Sequence, residues 1–379
     1  MANTCARCSA PATATYAGCH QCPSLDLTTE ISTYYCSVYC RQYHRRAHQE
    51  KCEAARDRKI FEIVCGVIRE AILTYRSHTF EWPLDWPVKR VGSELHYHSD
   101  SSRSKKSPTG VSYTLPEWWS KISSQDRESL LSHNICEESL VVADQLFQVM
   151  LRHLMPHDTP VLVSSNAVKG MAFMMRAVLP DGNVFGQNSG KFHAVARIKL
   201  RSGDEYALDI SAAQYGWSDW LLTWDRFCSQ RCDYNMGIQT IPQLRRRIEH
   251  LYGGNLQPPV LKKQRLMHSR LDAAMRPFFA SHPIPTPATS DTKALEDWLD
   301  EFLGTWEQNV ITLEKLIDPI CFAKREDLPT VEQRKAWDEY NGVQTREDFR
   351  RAMISSYHRE FGVFPNLEEV GRKMAEEGY

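Results

Sequence analysis

Residues Phe192–Ile210 read FHAVARIKLRSGDEYALDI. Two runs of β-branched and apolar residues flank a polar triplet, Arg201-Ser202-Gly203, which fits a three-residue hairpin loop closed by a glycine in the left-handed region. That loop pairs Ile198 with Tyr206, Ala196 with Leu208 and Ala194 with Ile210, so one face of the hairpin is wholly apolar. On the other face it sets Lys199 against Glu205. A two-residue loop slips the register by one and mixes the faces, so the alternation selects the longer loop. The same register makes His193 and Asp209 diagonal neighbours on one face, within side-chain reach of each other.

Working outward, Val161 to Ser164 and Met171 to Val178 are further strand candidates. Upstream, a helix is expected from Asn134, where Asn134-Ile-Cys-Glu137 has the N-cap and N3 acid of a capping box. Its apolar stripe is Leu140, Ala143, Phe147, Met150, Leu151 and Leu154. Before it, Leu115 to Ile122 is a short helix candidate. Ser99 to Ser107 reads as an exposed loop, and Trp82-Pro83 and Trp86-Pro87 interrupt helix formation. From Glu53, Ile60, Val64, Val67, Ile68, Ala71 and Tyr75 recur at steps of three and four, the mark of a helix with one buried stripe. Cys65 lies beside that stripe as a small buried hydrophobe.

Downstream of Trp217 the chain reads as mostly helical, over Ser218 to Arg231, Ile241 to Tyr252 and Val260 to Ser281. Pro283, Pro285 and Pro287 suggest a linker. Helical patterns resume at Leu295 to Ile317 and Thr345 to Phe361. Cys228 and Cys232 are read as two residues on one helix face flanking Trp224. The basic clusters Arg41 to Arg46 and Arg245-Arg246-Arg247 are read as solvated helix faces.

Cys136 falls in the first turn of the expected helix, where the positive end of the macrodipole favours a thiolate. A cysteine at a helix start, then a histidine on one strand and an aspartate on the next, is the order of a thiol nucleophile, its base and the base's orienter. Written as Asn134-Ile-Cys136-Glu, Phe192-His193-Ala-Val and Tyr206-Ala-Leu-Asp209, these residues resemble the transglutaminase-like branch of papain-like folds. The resemblance covers the middle of the chain and implies that Cys136 attacks an amide or acyl carbonyl. Val195 stands where that family has an aromatic, and Glu137 and Glu138 adjoin the thiol and oppose thiolate formation. The structural alternative is a buried cysteine, a histidine satisfying an edge strand and an aspartate ending one.

Seven of the twelve cysteines fall between Cys5 and Cys52. They form an ordered series: Cys5 and Cys8 as CxxC, Cys19 and Cys22 as CxxC, Cys36 and Cys40 as CxxxC, and His48 with Cys52 as HxxxC. Tetrahedral zinc takes four N or S donors, and a CxxC turn brings two thiolates onto one ion. The i, i+4 spacing of the last two pairs sets both donors of each on one helix face. Eight donors suffice for two zinc ions. A disulfide framework is the competing reading, but it belongs to oxidising compartments, and the N-terminus shows no export signal.

This order, with Tyr35-Cys36-Ser37 and the closing HxxxC, resembles the MYND-type zinc finger. The resemblance implies interleaved sites, with Cys5, Cys8, Cys36 and Cys40 on one zinc and Cys19, Cys22, His48 and Cys52 on the other. It also implies docking of partner proteins or short proline-containing peptides. His44-Arg45 replaces the Asp-Trp that the family often carries there, and His44 competes with His48 as a donor.

The reading is therefore an α+β chain: a double-zinc MYND-type module over 1–53, a mixed α/β body with a β-hairpin over 54–282, and a linker with a largely helical part over 283–379. With 46 basic and 47 acidic residues the chain lacks the basic excess that broad nucleic-acid binding requires. No apolar run is long enough to span a membrane. Zinc-type cysteine usage indicates an intracellular setting, nucleus or cytoplasm. The first expectation is an adaptor docking partner proteins through the finger, and the alternative is a cysteine-dependent hydrolase or acyltransferase. A SET-type methyltransferase is set aside, since no Asn-His-x-Cys motif follows the finger. The oligomeric state is not encoded in any motif.

Overall fold

A computed structural model describes residues 4–12, 19–23, 30–80, 84, 88–98, 115–178, 184–186, 192–251, 259–285, 292–321 and 327–341, with strands 19–23 and 30–33 described by their backbone. The Trp82-Pro83 and Trp86-Pro87 breaks, the Ser99 to Ser107 loop, Pro287 and the helix expected over Thr345 to Phe361 lie outside these residues.

The N-terminal part holds β1 (Cys19–Pro23) and β2 (Glu30–Thr33), paired antiparallel, and leads into α1 (Val38–His78). Ser37 caps α1 by accepting the Cys40 N–H at 3.2 Å, so the helix begins earlier than its buried stripe. It is 41 residues long and passes residue 53 without a break, carrying Cys40, His48 and Cys52 in the same rod as the stripe. Ile60, Val64, Ile68, Ala71 and Tyr75 are all buried, and Cys65 is buried beside them.

Next come β3 (Lys89–Val91), β4 (Glu94–His98), α2 (Ser124–Ser132), α3 (Cys136–Val142), α4 (Asp144–Met150), β5 (Leu162–Val168), β6 (Met174–Val178) and β7 (Val184–Gly186). The Leu115 to Ile122 segment forms a 3-10 turn over Glu117–Lys121. The capping box does not form. Asn134 adopts a left-handed φ of 59° and gives its N–H to Gln214 Oε1 at 3.2 Å, so the helix starts two residues later. The continuous helix expected there divides into α3 and α4 at Ala143, yet every residue of the expected stripe is buried.

The hairpin strands are β8 (His193–Lys199) and β9 (Glu205–Leu208), in the expected register: Ala196 opposite Leu208, Ile198 opposite Tyr206, Lys199 opposite Glu205. Gly203, at φ 92°, donates its N–H to Leu200 O at 2.9 Å and closes the turn. The chain continues through β10 (Leu221–Thr223), α5 (Trp224–Gln230) and β11 (Cys232–Thr240), then α6 (Ile241–Leu251), α7 (Pro259–Ser281), α8 (Thr292–Ile317) and α9 (Val331–Asn341). The single helix expected over Ser218 to Arg231 is thus a strand and a short helix. Cys228 sits on α5 while Cys232 opens β11, so they do not share a helix face.

Five strands make an antiparallel sheet in the order β10-β9-β8-β5-β11, and β3-β4-β6-β7 make a second, mixed sheet in which β4 and β6 run parallel. One face of the larger sheet, with Ala194, Ala196, Ile198 and Leu208, joins α1, α3, α4 and α6 to α9 in one core. Trp306 of α8 donates its indole N–H to Ala71 O of α1 at 2.7 Å. Buried Lys263 of α7 pairs with Asp318, and Glu314 beside it lies 2.8 Å from His78 of α1. The other face of the sheet carries Val195, Ala207 and Leu222 beneath Phe227 of α5. Arg245 and Arg247, expected as solvated, instead tie α6 to α4 and α3 through Asp144 and Glu137. Among the described residues no helix is long and apolar enough to cross a membrane.

Candidate functional site: a buried His-Asp pair beside Cys136, and a four-cysteine cluster

His193 is the first residue of β8 and Asp209 follows β9 directly. In the observed register Asp209 faces the position of Val195, which makes His193 its diagonal neighbour. His193 Nε2 and Asp209 Oδ1 lie 2.9 Å apart at ion-pair distance, the side chains 0% and 1% exposed. The Asp209 main chain is pinned by its N–H to Trp220 O at 2.7 Å, which fixes the carboxylate's base.

Cys136 opens α3, which packs on β8, and it is half-buried. Burial pushes the His193 imidazolium down, Asp209 and then Cys136 push it up, and the balance is a pKa raised to about 9. Cys136 is thus one of the groups that act on the ring, and a histidine paired with a carboxylate is the partner a sulfur nucleophile needs. Glu137, one of the two acids that oppose a thiolate, has its charge met by Arg247.

Three residues of this site give no signal in the sequence. After Asp209 a 3-10 turn over Ala212–Tyr215 ends at Gly216, whose φ of 75° turns the chain back over the histidine. A Cβ there would meet the Phe173 ring at 2.6 Å, so the position requires glycine. Tyr215 stands edge-on to the His193 ring at 4.9 Å and Trp217 at 5.9 Å. Their polar ends are fixed, Tyr215 OH donating to Phe192 O at 3.1 Å and Trp217 Nε1 to Gly170 O at 2.8 Å. Gln214 places Nε2 3.4 Å from His193 Nδ1. Beyond Trp217, the Arg231 guanidinium stacks at 4.5 Å. Burial lowers the Arg231 pKa, while Asp209 and Asp219 hold it up.

The second cluster is at the N-terminus. One sulfur each from Cys5, Cys8, Cys36 and Cys40 lies within 4.8 Å of every other, close enough to hold one metal ion. Four sulfurs each ~2.3 Å from a central zinc sit ~3.8 Å apart along the tetrahedron's edges. The observed separations of 3.4 Å for Cys8–Cys36, 3.6 Å for Cys36–Cys40 and 3.9 Å for Cys40–Cys8 fit that edge. Sulfur crowding by Cys8, Cys40 and Cys5 pushes the Cys36 thiol up to about 12, a cost that a cation at the centre reverses. The Cys5–Cys8 turn is shaped by main-chain bonds, Cys5 N–H to Ala10 O at 2.7 Å and Ser9 N–H to Cys5 O at 2.9 Å. Cys36 precedes the Ser37 cap, so it approaches Cys40 from outside the helix and not from one helix face as its spacing suggested.

His48 and Cys52 both lie on α1, which packs against β1. The side chains of Cys19 and Cys22 lie outside the described residues. His44 Nδ1 is engaged by the Tyr35 hydroxyl at 3.1 Å, while burial, His44 and Lys51 lower the His48 pKa toward the neutral form a metal requires. Compared with known protein families, with curated proteins and with solved structures, the chain matches none of them.

Proposed function

We propose that this chain is a cysteine-dependent hydrolase or acyltransferase in which Cys136 is the nucleophile, His193 its base and Asp209 the base's orienter. The observation that carries this reading is the buried His193–Asp209 pair at 2.9 Å, with Cys136 opening the helix that packs on the same strand. In the reaction Cys136 sulfur attacks an amide or acyl carbonyl, and the proton it gave to His193 passes to the leaving group. Asp209 keeps the ring oriented and its charge compensated throughout. The test is alkylation by limiting iodoacetamide followed by peptide mass mapping. Cys136 is expected to label ahead of Cys65 and Cys228, and His193→Gln is expected to slow Cys136 alone. Equal rates at the three cysteines contradict the assignment.

We propose a second function beside it, a MYND-type module with two zinc ions that docks partner proteins or peptides and so directs the thiol centre; what supports it is the four-cysteine cluster, which could hold one of the ions. Cys5, Cys8, Cys36 and Cys40 would hold one ion and Cys19, Cys22, His48 and Cys52 the other, each ion cross-linking distant parts of the N-terminal chain. Val38, Tyr39 and Tyr43 stand exposed on the first turns of α1, Tyr39 by 69% and Tyr43 by 74%, with Arg7 4.5 Å over the Tyr43 ring. Exposed aromatics with a flanking arginine are the composition of a protein-binding surface. Metal analysis should return two zinc ions per chain, and Cys36→Ser should lose one together with partner binding.

A further inference from the structure

We infer that Gln214 is a positioning residue of the thiol centre, acting on His193 so as to restrain proton transfer from Cys136. The inference rests on the reading of Cys136, His193 and Asp209 given above. Its basis is the fixed direction of the Gln214 amide. Asn134, left-handed at φ 59°, gives its N–H to Gln214 Oε1 at 3.2 Å, which assigns the oxygen end. The nitrogen end therefore faces His193, with Nε2 3.4 Å from Nδ1. Gln214 is buried and bridges the loop before the nucleophile to the base.

Asp209 Oδ1 stands 2.9 Å from Nε2, at ion-pair distance but without a formed hydrogen bond, and in this scheme Nδ1, the nitrogen beside Gln214, takes the thiol proton. An amide N–H directed at Nδ1 is satisfied only while that nitrogen is an acceptor. When the Cys136 S–H bond breaks and an Nδ1–H bond forms, donor faces donor, and the thiolate–imidazolium state loses that hydrogen bond. Gln214 thus opposes Asp209, which favours the charged ring. The other titratable or charged groups around His193 are Cys136 from α3, Tyr215 from the 3-10 turn, and Arg231 beyond Trp217. Glu137 of α3 is neutralised by Arg247. None of these supplies a second donor to Nδ1 among the described hydrogen bonds.

The test is the pH profile of Cys136 alkylation by iodoacetamide in the full chain, for wild type, Gln214→Leu, Gln214→Met and His193→Gln. In this probe reaction the thiolate displaces iodide and forms a thioether. Removing the donor is expected to move the inflection of the profile to lower pH by on the order of one unit in both Gln214 variants. An unchanged inflection in a folded Gln214 variant overturns the inference, as does loss of folding in both, which would make Gln214 structural. If His193→Gln leaves the wild-type profile unmoved, the thiol-centre reading itself fails, and this inference with it. A shift in the Gln214 variants together with a move of the His193→Gln inflection up to the range of an ordinary thiol supports both.

Discussion

At the scale of single residues, the strongest commitment is the charge on His193. Its folded pKa of about 9 lies above the ordinary 6.5, so the native chain holds this proton more tightly than the unfolded chain. The resulting stabilisation is fully present below about pH 6.5 and is lost as pH rises through about 9. Its size is at most about 3 kcal/mol, from the difference between those two values. Urea denaturation of wild type and His193→Gln should therefore show the larger gap near pH 6 and a smaller one near pH 9.5. The same gap at both values would mean that the folded ring carries no extra charge. His193 and Asp209 were legible as a pair because strand alternation and loop length fix a diagonal contact within nineteen residues of sequence. Gln214, Tyr215 and Trp217 were not, because a 3-10 turn has no period long enough to register and Gly216 alone marks the return.

At the scale of elements, α1 joins two kinds of stabilisation in one rod. Tyr39 and Tyr43 on its first turns are exposed, whereas residues from Ile60 to Tyr75 are packed on both the sheet and the C-terminal helices. Chelation should therefore strip hydrogen-exchange protection from residues 38–52 and leave 60–78 protected. Loss of protection along the whole helix would show that the metal module and the core form one cooperative unit. The other end of the core depends on α8. Trp306 is buried and its indole N–H reaches Ala71 O as a second donor, so Trp306→Ala leaves a cavity and removes that bond. A destabilisation of about 3–5 kcal/mol is expected from denaturant midpoints. A change under ~1 kcal/mol would mean that α8 is not integral to the fold. The missed element, β11, has a physical reason: residues 233–238 are all exposed at the sheet edge, so no alternation reveals the strand. The α5 and β10 misreading has the same origin, since Leu221–Thr223 is too short to show its own period.

At the scale of the whole molecule, Cys136 stands at the start of a helix laid on the sheet, and His193 opens the strand beneath that helix. The four-cysteine cluster lies at the far end of α1, where Tyr39 and Tyr43 are exposed. The α+β class and the hairpin followed from local spacing, whereas the grouping of Cys5, Cys8, Cys36 and Cys40 followed from the resemblance to an interleaved finger. What required the fold was the way α7 and α8 return onto α1 through Gln264, Glu314 and Trp306, contacts between segments roughly 190 to 240 residues apart that no local pattern encodes. The central claim is that Cys136 forms an acyl intermediate, and the most direct measurement is the pre-steady-state time course with p-nitrophenyl acetate. The account predicts a rapid burst of one p-nitrophenolate per chain, with the acetyl group recovered on the Cys136 peptide and the burst abolished in Cys136→Ala. A burst of the same size in Cys136→Ala, or acetyl groups spread over all exposed cysteines, would contradict it.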